Sequence, residues 1–156
     1  AQHYGCKVTT ITISQAQYDE AVKRVEEAGL SHRVEIQLKD YRLLEGKYDK
    51  LVSIEMIEAV GEQYLSTYFK QCRQLLKPNG LALIQAITIE DARYEKALKT
   101  IDYIKRYIFP GSFIPCISVM TQAASEQKLR LKHLEDIGQS YAQTLHYWRD
   151  AFLALR

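Results

Sequence analysis

The sequence predicts a doubly wound α/β domain, in which a mostly parallel sheet carries helices on both faces. Strand patterns and helix patterns alternate along the chain and are joined by short connections. The run Leu81 to Ile89 (LALIQAITI) is apolar without alternation, as expected for a parallel strand buried on both faces. The length of 156 residues, with 47% apolar and 26% charged residues, fits one globular domain rather than a disordered chain.

The first two predicted elements are a strand and a helix. Lys7 to Ile13 (KVTTITI) is rich in β-branched residues and predicts a buried strand. Ser14 is a favourable N-cap, with Gln17 three residues later as in a capping box. Gly29 closes the helix.

Two further strands and a helix follow. Val34 to Leu38 and Tyr48 to Ile54 have the composition of short strands. Tyr64 to Leu76 places apolar residues at helical spacing, and the turn Lys77 to Gly80 ends this helix.

The C-terminal third has a different pattern. One long helix is predicted from Asp91 to Ile108, before Pro110 and Gly111 break it. A short helix from Val119 to Lys128, a strand from Leu131 to Ile137 and a terminal helix from Tyr141 to Leu155 are expected to complete the chain.

Composition and motifs exclude several kinds of function. A formal charge of +2 gives no broad electrostatic attraction for nucleic acid. Three widely spaced cysteines argue against a disulfide framework and fit a reducing compartment, so we expect a cytoplasmic protein. No apolar run is long enough for a membrane helix, the histidines lack metal-ligand spacing, and nucleophile-elbow, Walker and zinc-protease motifs are absent. We expect no metal site, and Cys116 is expected to be a buried structural thiol.

Polar residues cluster where predicted strands end, which is where open α/β sheets bind their ligands. The ordinary alternatives are a helix cap for Ser14 and Gln17, a loop carboxylate for Asp40, and a strand residue with a satisfied amide for Gln85. Glu55 and Glu58 are more specific, because two carboxylates three residues apart follow a buried strand. The alternative for this pair is a solvated helix start that favours carboxylates.

A nucleotide-binding α/β domain normally begins with a strand and a glycine-rich turn. No such segment precedes Lys7, and the chain opens with Ala1 rather than Met. We therefore expect the chain to be an N-terminally truncated single domain that lacks its first strand and glycine loop.

Four stretches resemble cyclopropane-fatty-acyl-phospholipid synthases and their mycolic acid relatives. They are 52–61 (VSIEMIEAVG), 75–80 leading into 85–89, 103–111 (YIKRYIFPG) and 140–145 (SYAQTL). The Ile-Phe-Pro-Gly and Tyr-Ala-x-Thr-Leu blocks are the most specific, whereas the Lys-Pro-x-Gly turn is common to many methyltransferases.

The resemblance implies a class I, Rossmann-like methyltransferase sheet with S-adenosylmethionine as donor. The implied acceptor is the double bond of an unsaturated acyl chain in a membrane phospholipid, which becomes a cyclopropane ring. Bicarbonate is the implied base beside the reacting carbon. Peripheral contact with the inner membrane face is implied as well, and a homodimer stays open.

The resemblance also assigns residues. Ile87 and Tyr141 match positions that hold bicarbonate together with Glu58, and Gln85 stands where some relatives have His. The positions that match cofactor contacts are Ile11, Thr12, Gln17, Asp40, Tyr41 and Ile54.

Two other functions are compatible with the sequence. A related methyltransferase would act on another acceptor or stop before ring closure. A non-catalytic fragment would keep the sheet but lack the cofactor loop, and we expect the 156-residue chain alone to be inactive and to bind S-adenosylmethionine weakly. The predicted helix Asp91 to Ile108, with its lysines and Arg106, either covers the acyl pocket or faces a membrane.

Overall fold

Strands and helices alternate along the chain in the computed structural model, which describes residues 1–155. Short 3-10 turns follow β2 and β3, and a single π turn spans Ile104–Ile108. The main elements are β1 (Val8–Thr12), α1 (Gln15–Glu27), β2 (Val34–Leu38), β3 (Tyr48–Ile54), α2 (Leu65–Leu75), β4 (Leu76–Gln85), α3 (Asp91–Lys99), α4 (Ile117–Glu126) and α5 (Gly138–Ala154).

The strands form two parallel pairs. β1 pairs with β2 from Val8 opposite Val34 to Thr12 opposite Leu38, and β3 pairs with β4 along most of its length. Within residues 1–155 no ladder joins the two pairs. The parallel strands with helical crossovers confirm the predicted α/β class, and β2 and β3 have their predicted bounds.

The hydrophobic core lies between the β3–β4 pair, α2 and α4. Leu51 and Ile84 point from the strands into this core and pack against the buried cluster on α2. Tyr41, which follows β2, packs its ring edge against Tyr68 of α2 at 5.9 Å between centroids. This contact ties the β1–β2 half of the chain to the core.

The opposite face of β3 and β4 is open, which corrects the prediction that Leu81 to Ile89 is buried on both faces. Leu81 and Leu83 are 49% and 56% exposed, and Val52 beside them on β3 is exposed too. In the part of the chain that the structure describes, helices cover this strand pair on the other face only.

The long helix predicted from Asp91 to Ile108 is wrong, because the helix ends at Lys99. The Thr100 hydroxyl donates to the carbonyl of Lys96 at 2.7 Å, and Thr100 itself is extended. Asp102 then accepts the Lys105 amide at 2.8 Å and starts the π turn. A polar side chain bonding to the backbone thus competes with helix continuation.

The strand predicted from Leu131 to Ile137 is also wrong, because this stretch is an exposed coil. Its apolar residues Leu131, Leu134 and Ile137 are spaced by three rather than by two. This spacing does not place them on one face of a strand.

Candidate active site

The candidate site lies where β3 and β4 end. Glu55 follows β3 directly, and its amide donates to the Gln85 carbonyl at 2.9 Å. The Gln85 side-chain amide donates in turn to Glu55 Oε1 at 3.0 Å. Glu55 has a φ of +49°, a conformation that is uncommon outside glycine and concentrated at functional sites.

Glu58 is fixed by its turn, by a backbone hydrogen bond and by a side-chain hydrogen bond. It lies in a 3-10 turn beside the fully buried Ile57, and its carbonyl accepts the Phe113 amide at 3.1 Å. Its carboxylate Oε1 accepts the amide of Ile87, just beyond β4, at 2.6 Å. Glu58 Oε2 is buried and has no hydrogen-bond partner among the described residues. A buried carboxylate oxygen without a donor leaves an acceptor available to a ligand.

Tyr141, in the first turn of α5, is the aromatic group of this site. Its ring packs edge-on against Trp148, with 6.1 Å between centroids. Desolvation, and then the negative charges of Glu55 and Glu58, raise the pKa of the Tyr141 phenol above its usual value. The site thus combines two carboxylates with a phenol that keeps its proton at neutral pH.

Thr12, Ser14 and Gln17 form a separate cluster at the end of β1. Ser14 Oγ accepts the Gln17 amide at 3.4 Å, so Ser14 is the predicted N-cap of α1. The Gln17 side chain does not close the predicted capping box, because its Oε1 accepts the Thr12 hydroxyl at 2.7 Å. Ile11, inside β1, is half-buried.

Asp40 and Tyr41 follow β2. Asp40 accepts the Arg42 amide at 2.9 Å and the Arg42 guanidinium at 2.9 and 2.6 Å. These bonds hold the pKa of the Asp40 carboxyl below its usual value. Burial raises the pKa of the Tyr41 phenol, and Ile54 at the end of β3 is 51% exposed.

Sequence reasoning misses a buried polar group in the core, the hydroxyl of Tyr68. Tyr68 is only 1% exposed, and its hydroxyl, like Ser53 Oγ, is buried without a partner among residues 1–155. Burial is the main reason that the pKa of Tyr68 is raised, with Cys72 and Glu58 adding to it. At helical spacing Tyr68 looks like any apolar core residue, so only the rarity of a fully buried tyrosine signals it.

The structure therefore brings Glu58, Gln85, Ile87 and Tyr141 together, with the Thr12 and Asp40 clusters at the ends of other strands. Cys116 is buried, as predicted. Residues 1–155 hold no group of three or more potential metal ligands. None of the helices among them is long and apolar enough to cross a membrane.

Comparisons with known proteins identify the family to which the chain belongs. The family model described as mycolic acid cyclopropane synthetase matches residues 1–156. Tuberculostearic acid methyltransferase UfaA1 of Mycobacterium tuberculosis is 39% identical over 97% of this chain and 36% of its own. Cyclopropane-fatty-acyl-phospholipid synthase of Escherichia coli K12 is 34% identical over 99% of this chain and 38% of its own. The chain thus spans somewhat more than a third of the length of these curated relatives.

Solved structures show the same fold. The crystal structure of mycolic acid cyclopropane synthase CmaA1 complexed with SAH and CTAB superposes with a TM-score of 0.87 at 24% identity, over 98% of this chain and 57% of its own. A putative sarcosine dimethylglycine methyltransferase from Galdieria sulphuraria reaches a TM-score of 0.66 at 15% identity, over 84% of this chain and 49% of its own. The fold is that of class I S-adenosylmethionine-dependent methyltransferases.

Proposed function

Because this chain belongs to the mycolic acid cyclopropane synthetase family, we propose that it carries the acceptor side of a lipid-modifying active site. The enzyme would transfer a methylene group from S-adenosylmethionine to the double bond of an unsaturated acyl chain of a phospholipid and close a cyclopropane ring. The observation that carries this proposal is Glu58, whose Oε1 is held by the Ile87 amide while Oε2 is buried without a partner.

Residues at the ends of β1, β2 and β3 suit the donor. Thr12 and Gln17 present hydroxyl and amide groups beyond β1, and Tyr41 and the half-exposed Ile54 offer apolar surface. Asp40 already accepts three hydrogen bonds from Arg42. Because its carboxylate is engaged in these bonds, we assign it a position at the border of the donor site. The polar and apolar mixture fits a nucleoside bearing a charged amino acid. Ile11, inside β1, completes this set of donor-binding residues. When bound, S-adenosylmethionine supplies an electrophilic methyl group.

The acceptor side fits bicarbonate as the base. Glu58 Oε2 is an unused buried acceptor, and a hydroxyl-bearing anion can donate a hydrogen bond to it. Bound bicarbonate would supply an oxygen base close to the reacting carbon. Glu58 and Tyr141 would hold it, Ile87 would act by fixing Glu58, and Gln85 would act by fixing Glu55.

The chain's own residues then have distinct roles. An alkene is a weak nucleophile, so rate depends on holding the double bond in line with the donor. Methyl transfer leaves a carbocation on the acyl chain, and the Tyr141 ring, itself braced by Trp148, can stabilise it by cation–π attraction. Loss of a proton from the transferred methyl closes the ring. Glu58 orients the bicarbonate base. It does not itself remove the proton or react with the carbocation.

A second acceptor chemistry is favoured by one comparison. The 39% identical relative is named a tuberculostearic acid methyltransferase, so methylation of an acyl chain without ring closure is the alternative product. Lipids from cells expressing the intact protein, with the part of the domain that this chain is expected to lack, distinguish the two by mass spectrometry after ozonolysis. A gain of one CH₂ that resists ozone supports the cyclopropane, a gain that stays cleavable supports simple methylation, and no gain refutes both.

We also propose that residues 1–156 form part of one methyltransferase domain, completed by a strand between β1 and β3. In support, each of these strands has a single ladder partner within residues 1–155. Calorimetric titration of the 156-residue chain with S-adenosylmethionine is expected to show weak binding or none, and tight binding would refute the proposal. We place the enzyme in the cytoplasm, at the inner membrane face.

A further inference from the structure

Two buried hydroxyls of the core, those of Tyr68 and Ser53, have no hydrogen-bond partner among residues 1–155. The carboxylate oxygen Glu58 Oε2 is buried in the same way. A polar group that is buried without a partner is unfavourable, so folded proteins pair almost all such groups. The three groups are complementary, because a hydroxyl can donate a hydrogen bond and a carboxylate oxygen can only accept one.

The hydroxyls of Ser53 and Tyr68 lie close together where α2 packs on β3. Ser53 comes two positions after Leu51, so its side chain lies on the same face of β3 as that core residue. Hydrogen bonding from Ser53 opposes the larger effect of burial on the pKa of the Tyr68 phenol. Ser53 can therefore donate to the Tyr68 oxygen, which leaves the Tyr68 proton for another acceptor.

Glu58 is that acceptor. Its neighbour Ile57 is fully buried and belongs to the same core cluster as Tyr68. The negative charge of Glu58 is one of the causes that raise the pKa of Tyr68, as expected for a carboxylate near a protonated phenol. Cys72, one turn further along α2, also acts on Tyr68, but sulfur is a weak hydrogen-bond partner. Of the groups that act on the Tyr68 phenol, Glu58 is therefore the strongest acceptor.

We propose that Tyr68 is a positioning residue for Glu58. Its hydroxyl donates to one enclosed water molecule, which donates in turn to Glu58 Oε2, and Ser53 donates to the Tyr68 oxygen. A water molecule with two to four buried polar partners is an ordinary part of a protein interior, and it joins groups that do not bond to each other directly. The Ile87 amide then holds Oε1 of Glu58 while Tyr68 holds Oε2.

This role rests on the proposed function, in which Glu58 orients a bicarbonate base. A carboxylate oxygen can accept two hydrogen bonds, so Oε2 accepts one from the core side and a second from the bound anion. A carboxylate that is fixed from the core keeps the base in line with the reacting carbon, which affects the rate of the chemical step. Tyr68 itself does not contact the reacting atoms, and its ring packs against Tyr41 and Phe69.

Tyr68→Phe in the complete enzyme removes the hydroxyl and keeps the buried ring. We expect kcat to fall by about 10-fold and KM for S-adenosylmethionine to stay unchanged, because the donor-binding residues lie at the ends of other strands. Tyr94→Phe is the matched control. Tyr94 lies on α3, is 6% exposed, and has a hydroxyl that is also buried without a partner among residues 1–155. The control should keep its kcat, and a folded Tyr68→Phe enzyme with full kcat would overturn the proposal.

A double-mutant cycle measures the link between Tyr68 and Glu58 without any activity. Glu58→Met removes both carboxylate oxygens at a similar side-chain length. In urea, Tyr68→Phe should raise the unfolding equilibrium constant of the complete enzyme by about 10-fold when Glu58 is present, and by about 2-fold in the Glu58→Met background. Tyr94→Phe should have the same effect in both backgrounds. Equal effects of Tyr68→Phe in the two backgrounds would show that this tyrosine acts through packing alone and would overturn the inference.

The cycle also separates this inference from the proposed function. If Tyr68 and Glu58 are coupled in unfolding but the unaltered complete enzyme transfers no methyl group to lipid, the proposed function fails while the hydrogen-bonded link stands. If the enzyme is active and the cycle shows no coupling, the proposed function stands and the role of Tyr68 fails.

Discussion

Replacing Glu58 by Gln isolates the role of one carboxylate oxygen. The amide keeps an oxygen at the position of Oε1, so the 2.6 Å bond from the Ile87 amide can persist in its weaker, neutral form. The amide NH₂ replaces Oε2, the buried oxygen without a partner. A ligand that donates to Glu58 would then meet a donor instead of an acceptor. A hydrogen bond to a charged group contributes about 1.5–3 kcal/mol, so kcat is expected to fall by about 10- to 150-fold.

The assay uses the complete enzyme, because the 156-residue chain alone is expected to be inactive, and follows S-adenosylhomocysteine release at saturating lipid, with and without added bicarbonate. Glu62→Gln makes the same chemical change four positions later at an exposed side chain and is expected to leave kcat unchanged. The Glu58 variant should lose both its rate and its response to bicarbonate, while its urea midpoint is not lowered. A folded Glu58→Gln protein with full kcat would refute the assignment.

Three further predictions concern stability and reactivity. In native protein at pH 8, iodoacetamide should modify only Cys6, because burial raises the pKa of Cys72 to about 11 and Cys116 is also buried; mass spectrometry that finds either buried thiol alkylated contradicts this. Tyr68→Ala should lower the free energy of unfolding in urea by about 3–5 kcal/mol, since the ring is 1% exposed in the core; a loss below that of an exposed substitution would place the core elsewhere. Hydrogen bonds from Arg42 hold the folded-state pKa of Asp40 below 3.8, so the ion pair stabilises the fold above that pH and ceases to do so as the pH falls through the depressed pKa. Asp40→Asn should therefore lower the free energy of unfolding at pH 7 and leave it unchanged in acid. A difference in unfolding free energy that is the same at all pH values would exclude the ion pair as its cause.

The sequence predicts β2 and β3 with their bounds, because runs rich in β-branched and aromatic residues specify them locally. The bounds of β4 are wrong, because this strand runs from Leu76 to Gln85 and so includes the predicted turn Lys77 to Gly80. The Ser14 cap and the positions of Glu55 and Glu58 beyond β3 follow from the same local patterns. The positive φ of Glu55 does not, because it depends on the ladder bond from its amide to Gln85, thirty positions away. Nor does the pairing of Ile87 with Glu58, which requires β3 and β4 to be neighbours.

The C-terminal third was harder to predict. The apolar spacing of residues 91–108 is helical throughout, and one hydroxyl at Thr100 is enough to divert the backbone. The three-residue spacing of Leu131, Leu134 and Ile137 does not fit a strand, and among the described residues this stretch pairs with none.

The first strand pair, β1 and β2, is expected to unfold locally before the rest of the chain. Every buried apolar side chain of residues 1–155 lies between Ile57 and Ala123, so β1, α1 and β2 contribute none. Their tie to the rest includes the Tyr41–Tyr68 ring contact and a bond from Gln71 to the Leu44 carbonyl at 2.7 Å. Elements with few buried contacts open at lower free energy than the core. Amide hydrogens of β1 and β2 should therefore exchange with solvent through a local opening that leaves α2 and β3 folded.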